Sequence, residues 1–232
     1  MFSLRPSQER GHANHGWLDT YHSFSFADYY DPQHMQFGAL RVINEDTVIP
    51  AAGFPMHGHS NMEIVTYILE GQLAHRDSMG NSAVIRKGEV QRMSAGTGVN
   101  HSEYNASSQE NVHLLQIWIK PNQLNLPPSY EQKAFTVAEQ AGEFVLVGSP
   151  DGRFGSVTIH QDVLLYAAQL KQGQTTVMTL SPNRRIYLHI ARGTLEANGH
   201  VLQSGDAMTI EAETNLQLTA MEHAEVLLFD LA

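Results

Sequence analysis

Most of the chain is a succession of short runs in which apolar residues either alternate with polar ones or fill the run. Glycine-containing turns separate these runs. Residues 63–71 form an apolar run closed by glycine, residues 112–119 form another, and residues 40–46 predict a strand entering a turn. Residues 78–82, Ser-Met-Gly-Asn-Ser, are typical of a hairpin turn. Almost no segment repeats its apolar residues with the helical period, so the pattern predicts an all-β protein of barrels or jelly rolls.

The same kind of run occurs again in the second half of the chain. Residues 185–193 are an apolar strand pattern closed by glycine, as residues 63–71 are. This repetition predicts two copies of one barrel. Residues 182–185, Pro-Asn-Arg-Arg, stand where the first copy has a His-x-His pair, so we expect the second barrel to be without metal.

A proline-rich segment lies between the two halves. Residues 121–128 contain three prolines, which mark a linker or an ordered crossover. We therefore predict a first barrel in residues 1–130 and a second barrel in residues 131–232.

The composition narrows the class of protein. The 14 basic and 24 acidic residues give a net charge of −10, which disfavours binding to nucleic acid or to an anionic membrane. There is no cysteine, so disulfides and thiolate chemistry are excluded. A hydrophobic content of 42% predicts a folded chain. No signal-peptide pattern and no stretch of membrane-spanning length occur, and we expect a cytoplasmic protein.

Two pairs of metal-capable side chains stand two residues apart in sequence. His57 and His59 form the first pair, and His101 and Glu103 form the second. Residues two apart on a strand point to the same face. If the two strands face each other across a small barrel, all four side chains converge. Three imidazoles and a carboxylate suit a borderline divalent metal and leave room for an exogenous ligand.

The spacing alone is weak support for a site, because His223 and Glu225 repeat it in what resembles an ordinary final strand. Flanking glycines, which permit close backbone approach or positive φ, set the two candidate pairs apart. These glycines are Gly53, Gly58, Gly96 and Gly98. The competing interpretation is that the four candidate side chains are buried polar groups satisfied by hydrogen bonds, without metal.

Other histidines and aromatic residues near the N-terminus are also candidates. His12 and His15 lie in a polar loop and are alternative ligands, although exposed loop histidines are far more common. His22, Phe24 and Phe26 alternate with serines and share one face of a predicted strand. They either pack against a barrel or form a wall of a substrate site.

These motifs resemble the cupin superfamily and, more specifically, the pirin family. Four motifs in the family's order carry the resemblance, in residues 22–27, 57–63, 77–81 and 93–103. The similarity extends from about residue 9 to about residue 135 and is looser in the second half. It implies a bicupin, an all-β protein of two jelly-roll barrels, in which the first barrel binds one metal.

The resemblance also implies which residues hold the metal. Matching the motifs residue by residue gives His57, His59, His101 and Glu103. The implied metal is most often Fe(II), and the same donors also suit Mn, Ni, Co, Cu or Zn. Glu63 occupies the position of a ligand in many cupins. Here it is either that ligand or a hydrogen-bond acceptor for a ligand histidine.

Bacterial pirins resemble quercetin 2,3-dioxygenases. The resemblance therefore implies an oxidoreductase in which O2 cleaves the central ring of a flavonol and carbon monoxide is released. In that scheme Glu103 is both a ligand and the base for the substrate hydroxyl. Candidate apolar walls for a flat aromatic substrate are Phe24, Phe26, Phe54 and Met56.

Two other functions are consistent with the same resemblance. Some pirins act as metal- or redox-dependent regulators that bind a protein partner without catalysis. An isomerase or another dioxygenase acting on a different enol is the third reading, since fold and site do not fix the substrate. An enzyme requires an open apolar cavity beside the metal, whereas a regulator requires an exposed patch for its partner.

Overall fold

The computed structural model describes residues 1–232 and consists almost entirely of β-strands, which confirms the predicted all-β class. Its helical segments are two 3-10 turns, Ser7–Glu9 and Arg153–Gly155. None of its helical segments has the length and apolar character needed to cross a membrane. The strands are β1 (Phe2–Arg5), β2 (Gly11–Asn14), β3 (Leu18–His22), β4 (Leu40–Val48), β5 (Gly53–His59), β6 (Glu63–Glu70), β7 (Gln72–Asp77), β8 (Ser82–Arg86), β9 (Glu89–Ser94), β10 (Val99–Asn105), β11 (Val112–Ile119), β12 (Ser129–Ala134), β13 (Val145–Ser149), β14 (Val157–Thr158), β15 (Val163–Leu170), β16 (Thr175–Thr179), β17 (Arg185–Arg192), β18 (Thr194–Ala197), β19 (His200–Gln203), β20 (Ala207–Glu211), β21 (Asn215–Ala220) and β22 (Ala224–Leu231).

The chain divides into two compact units. The first barrel comprises Gly11–Ala134 and Val157–Gln161, and the second comprises Met1–Arg10, Phe135–Ser156 and Asp162–Ala232. The predicted boundary at residue 130 instead falls inside β12. That strand pairs with β9 and so extends the sheet of the first barrel past the prolines. The first ten residues belong to the second barrel because β1 pairs with β20.

The first barrel consists of two antiparallel sheets. The larger has the order β12-β9-β6-β11-β4-β3-β2, and the smaller has the order β5-β10-β7-β8. An apolar cluster with members from both sheets packs between them. Its buried members are Leu18, Val48, Ile68, Leu73, Ile85, Val112 and Leu114.

A row of buried polar residues also crosses the inner face of the large sheet. Gln91, Thr66, Gln116, Asn44 and His22 are successive cross-strand partners on β9, β6, β11, β4 and β3. All five side chains are buried. Paired residues of neighbouring strands point to the same face, so this polar row and the apolar cluster share the interior.

The second barrel repeats the topology of the first. Its strands in the large sheet follow the order β1-β20-β17-β22-β15-β13, and its small sheet has the order β16-β21-β18-β19, which confirms the predicted repetition. Its core is a cluster of aliphatic side chains from both sheets. Among them, Leu188 and Ile190 come from β17, the strand that corresponds to β6.

Candidate metal centre

Neighbouring strands of the small sheet carry the four predicted ligands. His57 and His59 lie on β5, and His101 and Glu103 lie on β10. The two strands do not face each other across the barrel, as we expected, but pair directly, with His57 opposite His101. Adjacent antiparallel strands bring opposite side chains close together. The pairing joins His57, His59 and His101 in one group, whereas Glu103 belongs to a neighbouring group that shares His101.

The three histidines form a compact group. Their ligand nitrogens lie within 4.8 Å of one another, and the Nε2 atoms of His57 and His101 are 3.0 Å apart. The imidazole centres are separated by 4.5 Å for His57 and His101, and by 4.9 Å for His59 and His101. This grouping can hold one metal ion.

The histidines of this group are suited to bind a cation. His57 Nδ1 donates to the Pro55 carbonyl oxygen at 2.7 Å, which leaves the lone pair on Nε2. Burial, with His57 nearby, lowers the pKa of His59 to about 4. Burial, followed by the neighbouring His57 and His59, lowers the pKa of His101 to about 3. Two of the three imidazoles are therefore neutral near pH 7 and offer lone pairs, as a divalent transition metal requires.

Glu103 lies beside this group and is fixed by amide donors. The side chain is buried, and Gln116 Nε2 donates to its two carboxylate oxygens at 3.0 and 2.9 Å. Burial raises the pKa of Glu103 to about 7, although hydrogen bonds from Gln116 and Thr66 act in the opposite direction. Its carboxylate falls in a second metal-capable group, with His75 and His101.

The sequence did not point us to His75, which lies on β7 directly opposite Glu103. His75 Nε2 donates to Asp77 Oδ2 at 3.0 Å, and Gln91 Nε2 contacts its Nδ1 at 3.4 Å. Burial lowers the pKa of His75, and both ring nitrogens have partners within the protein. It therefore supports the site rather than offering a lone pair. The sequence feature that could have revealed His75 is its spacing of two residues from Asp77, which matches the spacing of His101 and Glu103.

Glu63 differs from both roles considered for it. Its buried carboxylate accepts from Ser94 Oγ at 2.9 Å and from the backbone N and Nδ1 of His160, both at 3.1 Å. It belongs to neither metal-capable group. The prediction that Glu63 orients a ligand histidine is wrong. The histidine that Glu63 binds is His160, which lies in the segment Val157–Gln161 of the first barrel and belongs to neither metal-capable group.

A cavity of about 340 Å³ opens beside the three histidines. Of the predicted apolar walls, Phe26 and Phe54 line it, whereas Phe24 is buried outside the lining and Met56 is exposed. His15 and His22 also line the cavity, but His12 instead contacts Asp19 at 2.7 Å.

Two tryptophans that sequence reasoning missed complete the aromatic lining. Trp118 meets His59 edge to face at 5.0 Å and Phe26 at 5.4 Å, measured between ring centres. Trp17 meets Phe54 edge to face at 5.2 Å. The wall beside the histidines is therefore largely aromatic and suits a flat apolar ligand.

The cavity also contains a second buried carboxyl group, Asp46 on β4. Residues 40–46 were expected to enter a turn, but β4 continues to Val48 and places Asp46 inside the barrel opposite Thr20. A Thr20 hydrogen bond favours the charged form. Burial nevertheless raises the Asp46 pKa to about 7, and the charges of Glu103 and Glu45 act in the same direction.

This raised pKa predicts a pH-dependent effect of Asp46→Asn on stability. Folded Asp46 keeps its proton up to about pH 7, whereas the unfolded carboxyl ionises near 3.8, so its contribution falls as pH rises between these values. Replacement with asparagine should be nearly neutral at pH 4 and stabilising by up to about 4 kcal/mol at pH 8. Denaturant unfolding of the metal-free proteins at both pH values measures this difference. A difference in unfolding free energy between wild type and variant that does not change with pH would contradict the raised pKa of Asp46.

Gly53 controls how closely β5 approaches β10. A Cβ atom there would lie 2.2 Å from the Glu103 carbonyl oxygen and 2.5 Å from the Cα atom of Tyr104. Gly53→Ala should therefore destabilise the protein by about 1–3 kcal/mol, measured by denaturant unfolding, because backbone must move. Gly58→Ala is the matched control on the same strand. Its Cβ would lie 2.7 Å from the Asn100 side-chain oxygen, which can rotate away, and 3.9 Å from the nearest backbone atom, so we expect a change within about 0.5 kcal/mol. Equal losses of stability in the two variants would contradict a specific role of Gly53 in the close approach of β5 and β10.

Comparison with known proteins first places the molecule among two-barrel cupins. Residues 3–119 match the family model described as Pirin, and residues 146–231 match the one described as Quercetinase C-terminal cupin domain. The chain is 48% identical to quercetin 2,3-dioxygenase of Escherichia coli strain K12, over 100% of this chain and 99% of that protein. It is 42% identical to a pirin-like protein of Caulobacter vibrioides, over 100% of both. The chain belongs to the pirin family, as the sequence motifs predicted.

Solved structures agree with this fold. The crystal structure of YhhW from Escherichia coli superposes with a TM-score of 0.95 at 47% identity, covering 100% of this chain and 98% of that one. The same bacterial pirin in complex with nickel(II) gives a TM-score of 0.94 at 47% identity, covering 100% and 99%. Full coverage of both chains confirms the bicupin architecture.

Proposed function

We propose that this protein is a metal-dependent dioxygenase that cleaves a flavonol such as quercetin with O2. The observation that carries the proposal is the group of three converging imidazoles beside an aromatic-lined cavity that also contains a buried carboxylate. Full-length relatives named quercetin 2,3-dioxygenase support the same reaction. In our proposal His57, His59, His101 and Glu103 hold one divalent transition metal, with Fe(II) first among the candidates and Mn, Ni, Co, Cu and Zn as alternatives.

When bound, the metal supplies Lewis acidity toward the enolic oxygen of the substrate and redox chemistry toward O2. The protein's own contribution begins with charge. Burial lowers the pKa of His59 and of His101, so these two imidazoles supply no positive charge near pH 7, and we expect an anionic enolate to bind more tightly when the cation is present. This couples substrate binding to metal binding.

Glu103 is the base that accepts the proton of the enolic hydroxyl. In the metal-free protein burial raises the pKa of Glu103 to about 7, so the site itself makes this carboxylate a stronger base than an ordinary one. Gln116 Nε2 donates to both of its oxygens and fixes the plane of the carboxylate. This orientation keeps the carboxylate aimed into the cavity that it lines.

The cavity walls position the substrate and exclude water. A volume of about 340 Å³ falls within the roughly 300–1,000 Å³ of small-molecule sites. Trp118 stands edge-on to His59, so an aromatic ligand beside the histidines meets an aromatic side chain. Such contacts favour a flat ring system and leave its oxygen substituents to the few polar groups of the lining.

The direct test is product analysis with the full chain. Protein stripped with a chelator and reloaded with Fe(II) should consume O2 and quercetin in equal amounts and release carbon monoxide, and the stripped protein should not. Reloading with each alternative metal identifies the one that supports turnover. Metal binding without turnover of any flavonol would overturn the proposal and favour a regulator that binds a protein partner.

A further inference from the structure

Asp46 is a buried carboxyl group of the cavity lining with one unpaired acceptor atom. The residue lines the cavity and is only 4% exposed. Thr20 engages its carboxyl group, but the Oδ1 atom is buried and has no hydrogen-bond partner in the protein. A buried acceptor without a donor is costly for the fold, and a hydroxyl group on a bound ligand would supply that donor.

The position of Asp46 relative to the metal centre follows from strand register. Asn44 pairs with Gln116, and Gln116 holds the Glu103 carboxylate. Asp46 lies two residues further along β4 on the same face, which at the usual strand rise is roughly 7 Å away. Because this separation along β4 exceeds the length of a hydrogen bond, we expect the groups of a ligand that contact Glu103 and Asp46 to be different substituents.

Its neighbours show that Asp46 differs from the other carboxylates of this sheet. Glu45, one residue before it, points to the opposite face and contacts His113 Nε2 at 2.9 Å. It is absent from the cavity lining. Within the lining, the carboxylates are Asp46 and Glu103, and Gln116 engages both oxygens of Glu103.

We propose that Asp46 Oδ1 accepts a hydrogen bond from a phenolic hydroxyl of the substrate other than the enolic hydroxyl that Glu103 deprotonates. This inference rests on the proposed function and adds a specificity determinant to it. The residue makes the cavity selective for flavonols with several hydroxyl groups over a flavonol that has the enolic hydroxyl alone.

The test compares two substrates and two variants on the metal-loaded full chain. Quercetin carries additional phenolic hydroxyls, whereas 3-hydroxyflavone carries only the enolic one. Asp46→Leu should lower kcat/KM and weaken binding of quercetin by about 10- to 100-fold. Both quantities for 3-hydroxyflavone should stay within about twofold. At pH 8, where Asp46 is ionised, Asp46→Asn replaces a charged acceptor by an uncharged one, so it should lower the preference for quercetin by about 3- to 10-fold.

Glu45→Gln is the matched control, since it neutralises a carboxylate on the same strand that faces away from the cavity. It should leave the values for both flavonols unchanged. Equal losses for quercetin and 3-hydroxyflavone in the Asp46 variants would show a structural role and overturn the proposal, and so would unchanged selectivity. If Asp46→Leu does not fold, as thermal unfolding reports, the nearly isosteric Asp46→Asn decides the outcome.

Direct binding separates this proposal from the proposed function. Quercetin binding by the wild type without turnover would contradict the dioxygenase, but the difference in Kd between the two flavonols still tests Asp46. A wild type that binds neither flavonol would overturn the Asp46 proposal. Turnover of both flavonols at the same kcat/KM in the wild type would support the dioxygenase and contradict the subsite.

Discussion

Replacing His101 with alanine is expected to remove both the bound metal and the flavonol-cleaving activity. Its Nε2 lies 3.0 Å from that of His57, and its ring lies 4.9 Å from that of His59, so it links the three-histidine group. Loss of an outer-shell partner of a metal ligand typically costs 10–100-fold in affinity or activity. Loss of a ligand should therefore cost more than about 100-fold in both. Metal analysis after dialysis and quercetin-dependent O2 uptake on the same sample measure the two effects.

The matched control for this variant is His12→Ala. His12 is exposed, contacts Asp19 and does not line the cavity. We expect its metal content and turnover to equal those of the wild type. If the His101 variant kept one metal per chain and normal turnover, the three-histidine site would be wrong. If both variants lost metal equally, the effect would not be specific to the proposed site.

Glu103→Gln is expected to reduce kcat strongly while leaving a folded, quercetin-binding protein. The amide cannot accept the proton of the enolic hydroxyl, and loss of a general base typically lowers the rate by about 10²- to 10⁴-fold. The amide is also a weaker metal ligand than a carboxylate, so metal affinity should fall as well. At saturating metal the neutral side chain fits the same buried position, and we expect the KM for quercetin to change by less than about tenfold. Steady-state kinetics at saturating O2, with metal content measured in parallel, separates the two quantities.

A second buried carboxylate provides the control for Glu103. Glu63 is equally buried but binds Ser94 and His160 instead of lining the cavity. Glu63→Gln should therefore keep the metal and the kcat of the wild type. Full activity in the Glu103 variant, together with metal loss in the Glu63 variant, would transfer the ligand role to Glu63, the position that serves as a ligand in many cupins.

The parts of the fold that the sequence predicted depend on local signals. Alternation, apolar runs and glycine turns mark individual strands, and a repeated order of strands marks a repeated barrel. His57, His59, His101 and Glu103 were proposed as ligands partly from a local signal as well, because residues two apart on a strand share a face. Register then placed the pairs side by side, although on neighbouring strands instead of opposite walls.

The parts that escaped prediction depend on which strands become neighbours. The pairing of β1 with β20 joins segments about 200 residues apart, and no local pattern in either segment predicts which strand it will pair with. Gln91, Thr66, Gln116 and Asn44 are single polar residues on four different strands. Each looks unremarkable within its own run, and only the cross-strand register lines them up as one row inside the barrel.

Anomalous diffraction from a crystal of the metal-loaded protein tests the central claim most directly. We predict a single metal peak, with nitrogen atoms of His57, His59 and His101 at about 2.0–2.2 Å and an oxygen of Glu103 at a similar distance. One Glu103 oxygen would then contact the metal while the other keeps its hydrogen bond from Gln116 Nε2. A peak among His75, His101 and Glu103, or the absence of any peak in the cavity, would contradict the account.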